Sequence, residues 1–93
     1  MGEQMSEKSF SLGQVVVTDR VRKALNQDQI WNLVMRHAEL DQGELEDSDY
    51  KLNLKAVEQG DQIFSCYEVN EGRYYVITEA DRSCTTVLRS DEY

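Results

Sequence analysis

The chain has 93 residues, 40% of them apolar, and its 18 acidic and 10 basic residues give a formal net charge of −8. This length fits one domain and leaves no room for a second core. The negative charge argues against direct binding to nucleic acid, which needs a basic surface, and against adhesion to an anionic membrane. The remaining possibilities are a small ligand, a basic protein partner, or a partner that is not recruited by charge.

The beginning of the chain is polar and has no periodic apolar pattern over residues 1–9. We predict a disordered tail there and a single α+β domain over residues 10–93. No apolar run reaches the ~20 residues of a membrane-spanning helix. The polar start also lacks the apolar core of a secretory signal. We therefore expect a cytoplasmic protein that has no membrane segment.

The first elements are predicted to be a strand and a short helix. The segment Leu12–Thr18 contains three consecutive valines and is typical of a strand that is not fully exposed. Thr18 is then placed to cap a first helix, because its hydroxyl can accept a hydrogen bond from an unpaired backbone N–H. In this helix Val21 and Leu25 fall on one narrow apolar face.

Two further helices are predicted in the middle of the chain. The second begins with Asp28 as its cap and runs to about Leu40. It is the most apolar helix. Its inner face is formed by Ile30, Leu33, Val34 and His37, and this face is widened by Trp31, Met35 and Ala38. The third is capped by Asp47 or Ser48 and ends before Gly60, a natural C-terminal glycine.

The last third of the chain changes to the alternating pattern of strands. The predicted strands are Gln62–Val69, Arg73–Thr78 and Cys84–Arg89, and Asn70-Glu71-Gly72 is typical of a hairpin turn. The predicted fold is therefore α+β. An N-terminal strand and three helices precede a C-terminal three-stranded antiparallel meander, and the helices pack on one face of the sheet.

The cysteines and the single histidine do not form a metal-binding pattern. Cys66 and Cys84 each fall in a predicted strand, without the close spacing of a structural zinc site. A cross-strand disulfide between them is possible but is not the default in a cytoplasmic protein. We predict no metal and no cofactor.

A cluster of carboxylates interrupts the middle of the chain. One interpretation is structural, because acidic residues before and within the first turn of a helix are stabilised by its dipole. The other is a surface that imitates the phosphates of DNA and inhibits a restriction or CRISPR nuclease. The residues are Glu39, Asp41, Glu44, Glu46, Asp47 and Asp49.

His37 and Asn53 fall on inner helical faces. His37 is the only side chain whose ordinary pKa, about 6.5, suits proton transfer near neutrality. Its apolar surroundings favour a hydrogen-bonded core histidine instead. A buried amide also needs a partner, since leaving it unpaired costs about 1–3 kcal/mol. His37, Asn53 or a strand backbone group could supply those hydrogen bonds without any function.

The connection between the last two predicted strands is unusually polar, Thr78-Glu79-Ala80-Asp81-Arg82-Ser83. Asp81 and Ser83 are typical turn formers. In a functional interpretation, Arg82 binds an anion while Glu79 or Asp81 orients a donor. The chain has no Ser-His-Asp order, no glycine-rich phosphate loop and no second histidine. The segment therefore gives little support for catalysis.

The sequence resembles a family of small proteins encoded on bacterial plasmids, integrated elements and phages. The most distinctive match is the segment 77–83, Ile-Thr-Glu-Ala-Asp-Arg-Ser, with Thr85-Thr86 and the ending Glu92-Tyr93. The resemblance also covers Leu12-Gly13-Gln14-Val15-Val16 with Thr18, Arg36-His37, Gly43-Glu44-Leu45, and Asp49 with Asn53. Members tend to have Thr-Pro-Gly where this chain has Thr18-Asp19-Arg20, and tryptophan where it has Gln42.

The resemblance implies an accessory protein of a mobile genetic element. We expect it to bind a host or element-encoded protein, and the oligomeric state is left open. The alternatives are an acidic inhibitor of a DNA-acting defence enzyme and a small enzyme or ligand-binding protein. The residues that could converge in one cleft, or form a buried polar network, are His37, Glu44, Asp49, Asn53, Glu79, Asp81 and Arg82.

Overall fold

The computed structural model describes residues 10–39, 57 and 59–93. These residues form a mixed four-stranded sheet in the order β1-β4-β3-β2, two α-helices and a C-terminal 3₁₀ helix. The elements in chain order are β1 (Gln14–Val17), α1 (Asp19–Ala24), α2 (Gln27–Ala38), β2 (Ile63–Val69), β3 (Gly72–Thr78), β4 (Cys84–Arg89) and the 3₁₀ helix Ser90–Glu92.

The predicted architecture was wrong. The N-terminal strand does not stand apart from a three-stranded meander, because β1 pairs in parallel with β4 and makes the sheet mixed. The run of β-branched residues in β1 predicts a strand but does not say which partner or direction it takes. The pairing is set by a long-range contact, the hydrogen bond from the Gln14 N–H to the Ser83 carbonyl at 3.0 Å.

The number of helices also differs from the prediction. The described residues contain two α-helices and not three, and only α2 is long. Of the predicted third helix, the structure describes only Val57 and Gln59. No helix within the described ranges is long and apolar enough to cross a membrane.

The helix starts follow from local hydrogen bonding. Thr18 caps α1 as predicted, and its hydroxyl accepts from the Val21 N–H at 3.4 Å. The predicted cap Asp28 was wrong, because the N-cap of α2 is Asn26, two residues earlier. The Asn26 side chain accepts from the Gln29 N–H at 2.8 Å, and the Gln29 side chain accepts from the Asn26 N–H at 2.9 Å. This reciprocal capping box satisfies two helix-end donors and outcompetes a single carboxylate.

The predicted hairpin between β2 and β3 is confirmed. Asn70 and Glu71 both have positive φ, 50° and 67°, and Val69 pairs with Gly72. Positive φ at both central residues matches the twist of the flanking strands.

The core lies between the helices and one face of the sheet. Its members are fully or almost fully buried, and partly buried residues of β1 pack against them. The buried residues of this cluster are Val21, Leu25, Leu33, Val34, Tyr67, Tyr74, Val76 and Val87.

Candidate functional site: a buried polar network and a surface groove

A chain of hydrogen bonds crosses the core from α2 to the segment before β1. The His37 Nδ1 atom lies 2.6 Å from the Ser65 Oγ atom, and its Nε2 atom lies 2.8 Å from the Thr78 Oγ1 atom. Thr78 Oγ1 in turn lies 2.6 Å from Thr85 Oγ1, and the Thr85 hydroxyl donates to the Leu12 carbonyl at 2.7 Å. All four side chains are fully buried.

The last of these bonds determines the direction of the others. The Thr85 hydrogen is used on the Leu12 carbonyl, so Thr85 must accept from the Thr78 hydroxyl. Thr78 must then accept from His37 Nε2–H. His37 is therefore the neutral tautomer protonated at Nε2, and its Nδ1 atom accepts from the Ser65 hydroxyl.

Burial also determines the charge of the ring. Desolvation lowers the pKa of His37 from 6.5 to about 4, so the ring is neutral at neutral pH. With both nitrogens bonded and no exposed surface, the ring has the geometry of the core histidine that was one of the two sequence interpretations. The serine–histidine contact is 2.6 Å long but is closed to solvent.

The polar connection between β3 and β4 is held together by its own side chains. The Arg82 Nη1 atom donates to the carbonyls of Asp61 at 2.7 Å, Glu79 at 3.1 Å and Ala80 at 3.3 Å. The Asp81 Oδ1 atom accepts from the Ser83 N–H at 2.9 Å. Hydrogen bonds from Ser83 hold the pKa of the Asp81 carboxyl below its ordinary value.

The sequence-predicted site residues do not all meet. His37 lies inside the core, while Glu79, Asp81 and Arg82 lie at the β3–β4 connection. Phe10 stands between the two groups, its ring edge-on to His37 at 5.3 Å between centroids and 5.7 Å from the Arg82 guanidinium carbon. The remaining candidates, Glu44, Asp49 and Asn53, and the acidic segment 41–49 lie outside the described residues.

A groove of about 490 Å³ opens on the helix side of the sheet at β1. From the sheet, only the edge strand contributes described lining residues, Val15 and Val17. The helices and the turn between them contribute apolar side chains, two amides and one cation. The described lining from this side is Arg22, Leu25, Asn26, Gln27, Ile30, Trp31 and Val34.

Trp31 gives the groove its most exposed apolar surface. It is the only tryptophan of the chain, and 48% of it is accessible to solvent. Met35, one helical turn further along α2, is 51% exposed. Sequence reasoning assigned both side chains to a widened core face. The sequence contained a signal against this assignment, because the apolar face of α2 is already as wide as a packed helix requires without them. The residues of that face are Ile30, Leu33, Val34 and His37.

Comparison with protein-family models, with curated proteins and with solved structures gave no match.

Proposed function

We propose that this chain is a non-enzymatic accessory protein that acts by binding another protein through the groove at β1 and α2. The observation that carries the proposal is the exposure of Trp31 on the rim of an apolar groove. Tryptophan is enriched in the central residues of protein interfaces, where its large apolar area is buried against the partner. A solvent-exposed tryptophan beside a concave apolar surface therefore favours a binding role.

The two side chains best suited to catalysis, His37 and Arg82, also support the proposal, because both are used in contacts within the fold. The only histidine is enclosed and hydrogen-bonded on both nitrogens. The Arg82 guanidinium is used to hold backbone carbonyls in place. Both sets of contacts stabilise the fold, and neither leads into the groove, whose described lining lacks His37 and Arg82.

The biological setting follows from the sequence resemblance. A small acidic protein resembling plasmid and prophage proteins suits an accessory role in conflict between a mobile element and its host. The partner would then be a host or element-encoded protein.

The experiment compares two substitutions on neighbouring positions of α2. Trp31→Ala removes the rim of the groove, whereas Asn32→Ala changes an exposed residue that does not line it. Tagged protein would be incubated with lysate of a plasmid-bearing bacterium, and the bound proteins identified by mass spectrometry. We expect one or a few proteins captured by the wild type and by Asn32→Ala but lost with Trp31→Ala. Identical capture by all three folded proteins would reject the groove as the binding surface.

A further inference from the structure

The edge of the sheet beside the groove has backbone groups that can pair with another strand. β1 is the first strand of the sheet order, so one side of it faces β4 and the other faces outward. On the inner side, the Gln14 N–H donates to the carbonyl of Ser83, just before β4, at 3.0 Å, and the Thr18 N–H donates to the Val87 carbonyl at 3.1 Å. Alternate residues of a strand direct their polar groups to the same side, so Val15 and Val17 direct N–H and C=O outward. No strand of the described residues pairs with them there.

The same two residues connect this edge to the groove. The side chains of Val15 and Val17 line the groove, while their backbone groups point along the outer edge. A peptide pairing with β1 would therefore place every second side chain toward Ile30 and Trp31 on α2. Main-chain hydrogen bonds would supply affinity and the groove would select side chains, as in recognition by strand addition.

The charge of the groove indicates which charged group a bound peptide would carry. Arg22 is the one charged side chain among the described residues that line it, and it forms no ion pair with another described residue. At the nearby start of α2, the N–H groups of Asn26 and Gln29 already donate to each other's side chains. An anion in the groove would thus pair with Arg22. The net charge of −8 repels strongly acidic segments, so a single carboxylate in an apolar segment fits best.

We propose that the groove binds an extended apolar peptide segment of a partner protein, which adds a strand to the outer edge of β1 and places one carboxylate on Arg22. This inference rests on the proposed function and specifies its ligand.

The test begins with a library of random linear peptides, selected for binding to the full chain and followed by Trp31 emission. We expect selected peptides that alternate apolar residues and carry one carboxylate, either a side chain or a free C-terminus. Binding of each peptide with a free and with an amidated C-terminus distinguishes these two sources. Arg22→Glu should weaken binding of these peptides about ten- to a hundredfold, the value of a charged hydrogen bond. Lys23→Glu, an equal charge change at the next residue, should have a smaller effect.

The strand geometry can be tested separately, first by changing the peptide and then by changing β1. Methylating the peptide's amide nitrogens one at a time should abolish binding at alternate positions only, because a strand directs every second N–H toward its neighbour. Val15→Pro removes an outward N–H and should weaken binding more than Val15→Thr, which changes the same groove-lining side chain but keeps that N–H.

Three outcomes would overturn the inference. Peptides selected without a carboxylate, or equally sensitive to both charge reversals, would remove the role of Arg22. Methylation that is uniformly harmful or uniformly tolerated would remove the strand pairing. A dimer in solution that dissociates with Val15→Pro would assign the edge to a second copy of the chain. If any of these occurs while Trp31→Ala still loses the captured protein, the proposed function stands and only the binding mode fails.

Discussion

Single residues of this protein often serve two elements at once. The Thr18 hydroxyl accepts from the Val21 N–H as a helix cap and also donates to the Glu92 Oε1 atom at 2.9 Å. Thr85 similarly accepts from Thr78 and donates to Leu12, so one hydroxyl links β3, β4 and the segment before β1. A hydroxyl that donates and accepts at the same time has both of its hydrogen-bonding roles satisfied, and fully satisfied networks of this kind are stabilising.

The neutral, buried state of His37 predicts a dependence of stability on pH. The pKa of His37 is about 4 in the folded chain and 6.5 as the ordinary value, so the unfolded state binds the proton more readily. The contribution of the neutral, buried His37 to the free energy of unfolding is therefore fully present above pH 6.5 and is lost as the pH falls toward 4. Over that range we expect the free energy of unfolding to decrease by about 3 kcal/mol from this residue.

Urea unfolding of the wild type and of His37→Gln at several pH values measures this contribution. Carboxylates titrate in both proteins, so the difference between the two curves isolates the histidine. Parallel curves between pH 6.5 and 4 would contradict the expectation.

At the scale of elements, the β3–β4 connection acts as the anchor for β1. Arg82 lies at φ 61° and ties the connection to the Asp61 carbonyl. Gly13, at φ 65°, lies against this connection just before β1 begins. A Cβ atom at Gly13 would overlap the carbonyl oxygens of Arg82 and Ser83. The parallel pairing of β1 with β4 therefore depends on a close approach that only glycine permits.

Two glycine substitutions separate this close approach from backbone strain. Gly13 and Gly60 both have positive φ, but a Cβ atom at Gly60 meets nothing within 4 Å. Gly60→Ala should therefore cost only the left-handed backbone penalty, roughly 1–2 kcal/mol. Gly13→Ala adds a clash with backbone, which typically costs a further ~1–3 kcal/mol.

Chemical denaturation of the two variants gives the comparison directly. Equal losses of stability would show that the approach of Gly13 to the β3–β4 connection is not tight.

At the scale of the whole molecule, Glu92 and Tyr93 contact elements that are distant from them in the sequence. The Glu92 Oε1 atom accepts from both the Thr18 hydroxyl and the Arg89 N–H, at 2.9 Å and 2.8 Å. The final Tyr93 packs edge-on against Phe64 and Tyr75 on the sheet face away from the helices. The ending Glu92-Tyr93 thus joins α1 to β2 and β3, and this gives the motif a structural role.

Glu92→Ala should destabilise the protein more than Asp91→Ala does. Glu92→Ala removes the acceptor of two partly buried hydrogen bonds, which costs about 1–3 kcal/mol. Asp91 forms an exposed ion pair with Arg20 at 3.0 Å, and such pairs contribute less than ~1 kcal/mol. Thermal unfolding at one pH would rank the two variants, and the reverse order would show that the Thr18–Glu92 contact contributes little.

Much of the local structure could be predicted from the sequence, because it depends on neighbours along the chain. Thr18 caps its helix through a contact three residues away, and the Asn70-Glu71-Gly72 turn needs only its own backbone angles. The inner position of His37 likewise followed from helical spacing. Asp28 was the local error, because the reciprocal hydrogen bonds between Asn26 and Gln29 start the helix two residues earlier.

The remaining features depend on contacts between distant residues, which no local pattern contains. The sequence by itself determined that Val15-Val16-Val17 is a strand, whereas the tertiary structure decided that it pairs in parallel with β4 and that no other described strand pairs with its second edge. Trp31 shows the same limit. Helical spacing places it next to the apolar face, but only the packing of α2 over the sheet decides that its ring stays in solvent beside a groove. Burial is a property of the assembled surface, and it is fixed only when the elements meet.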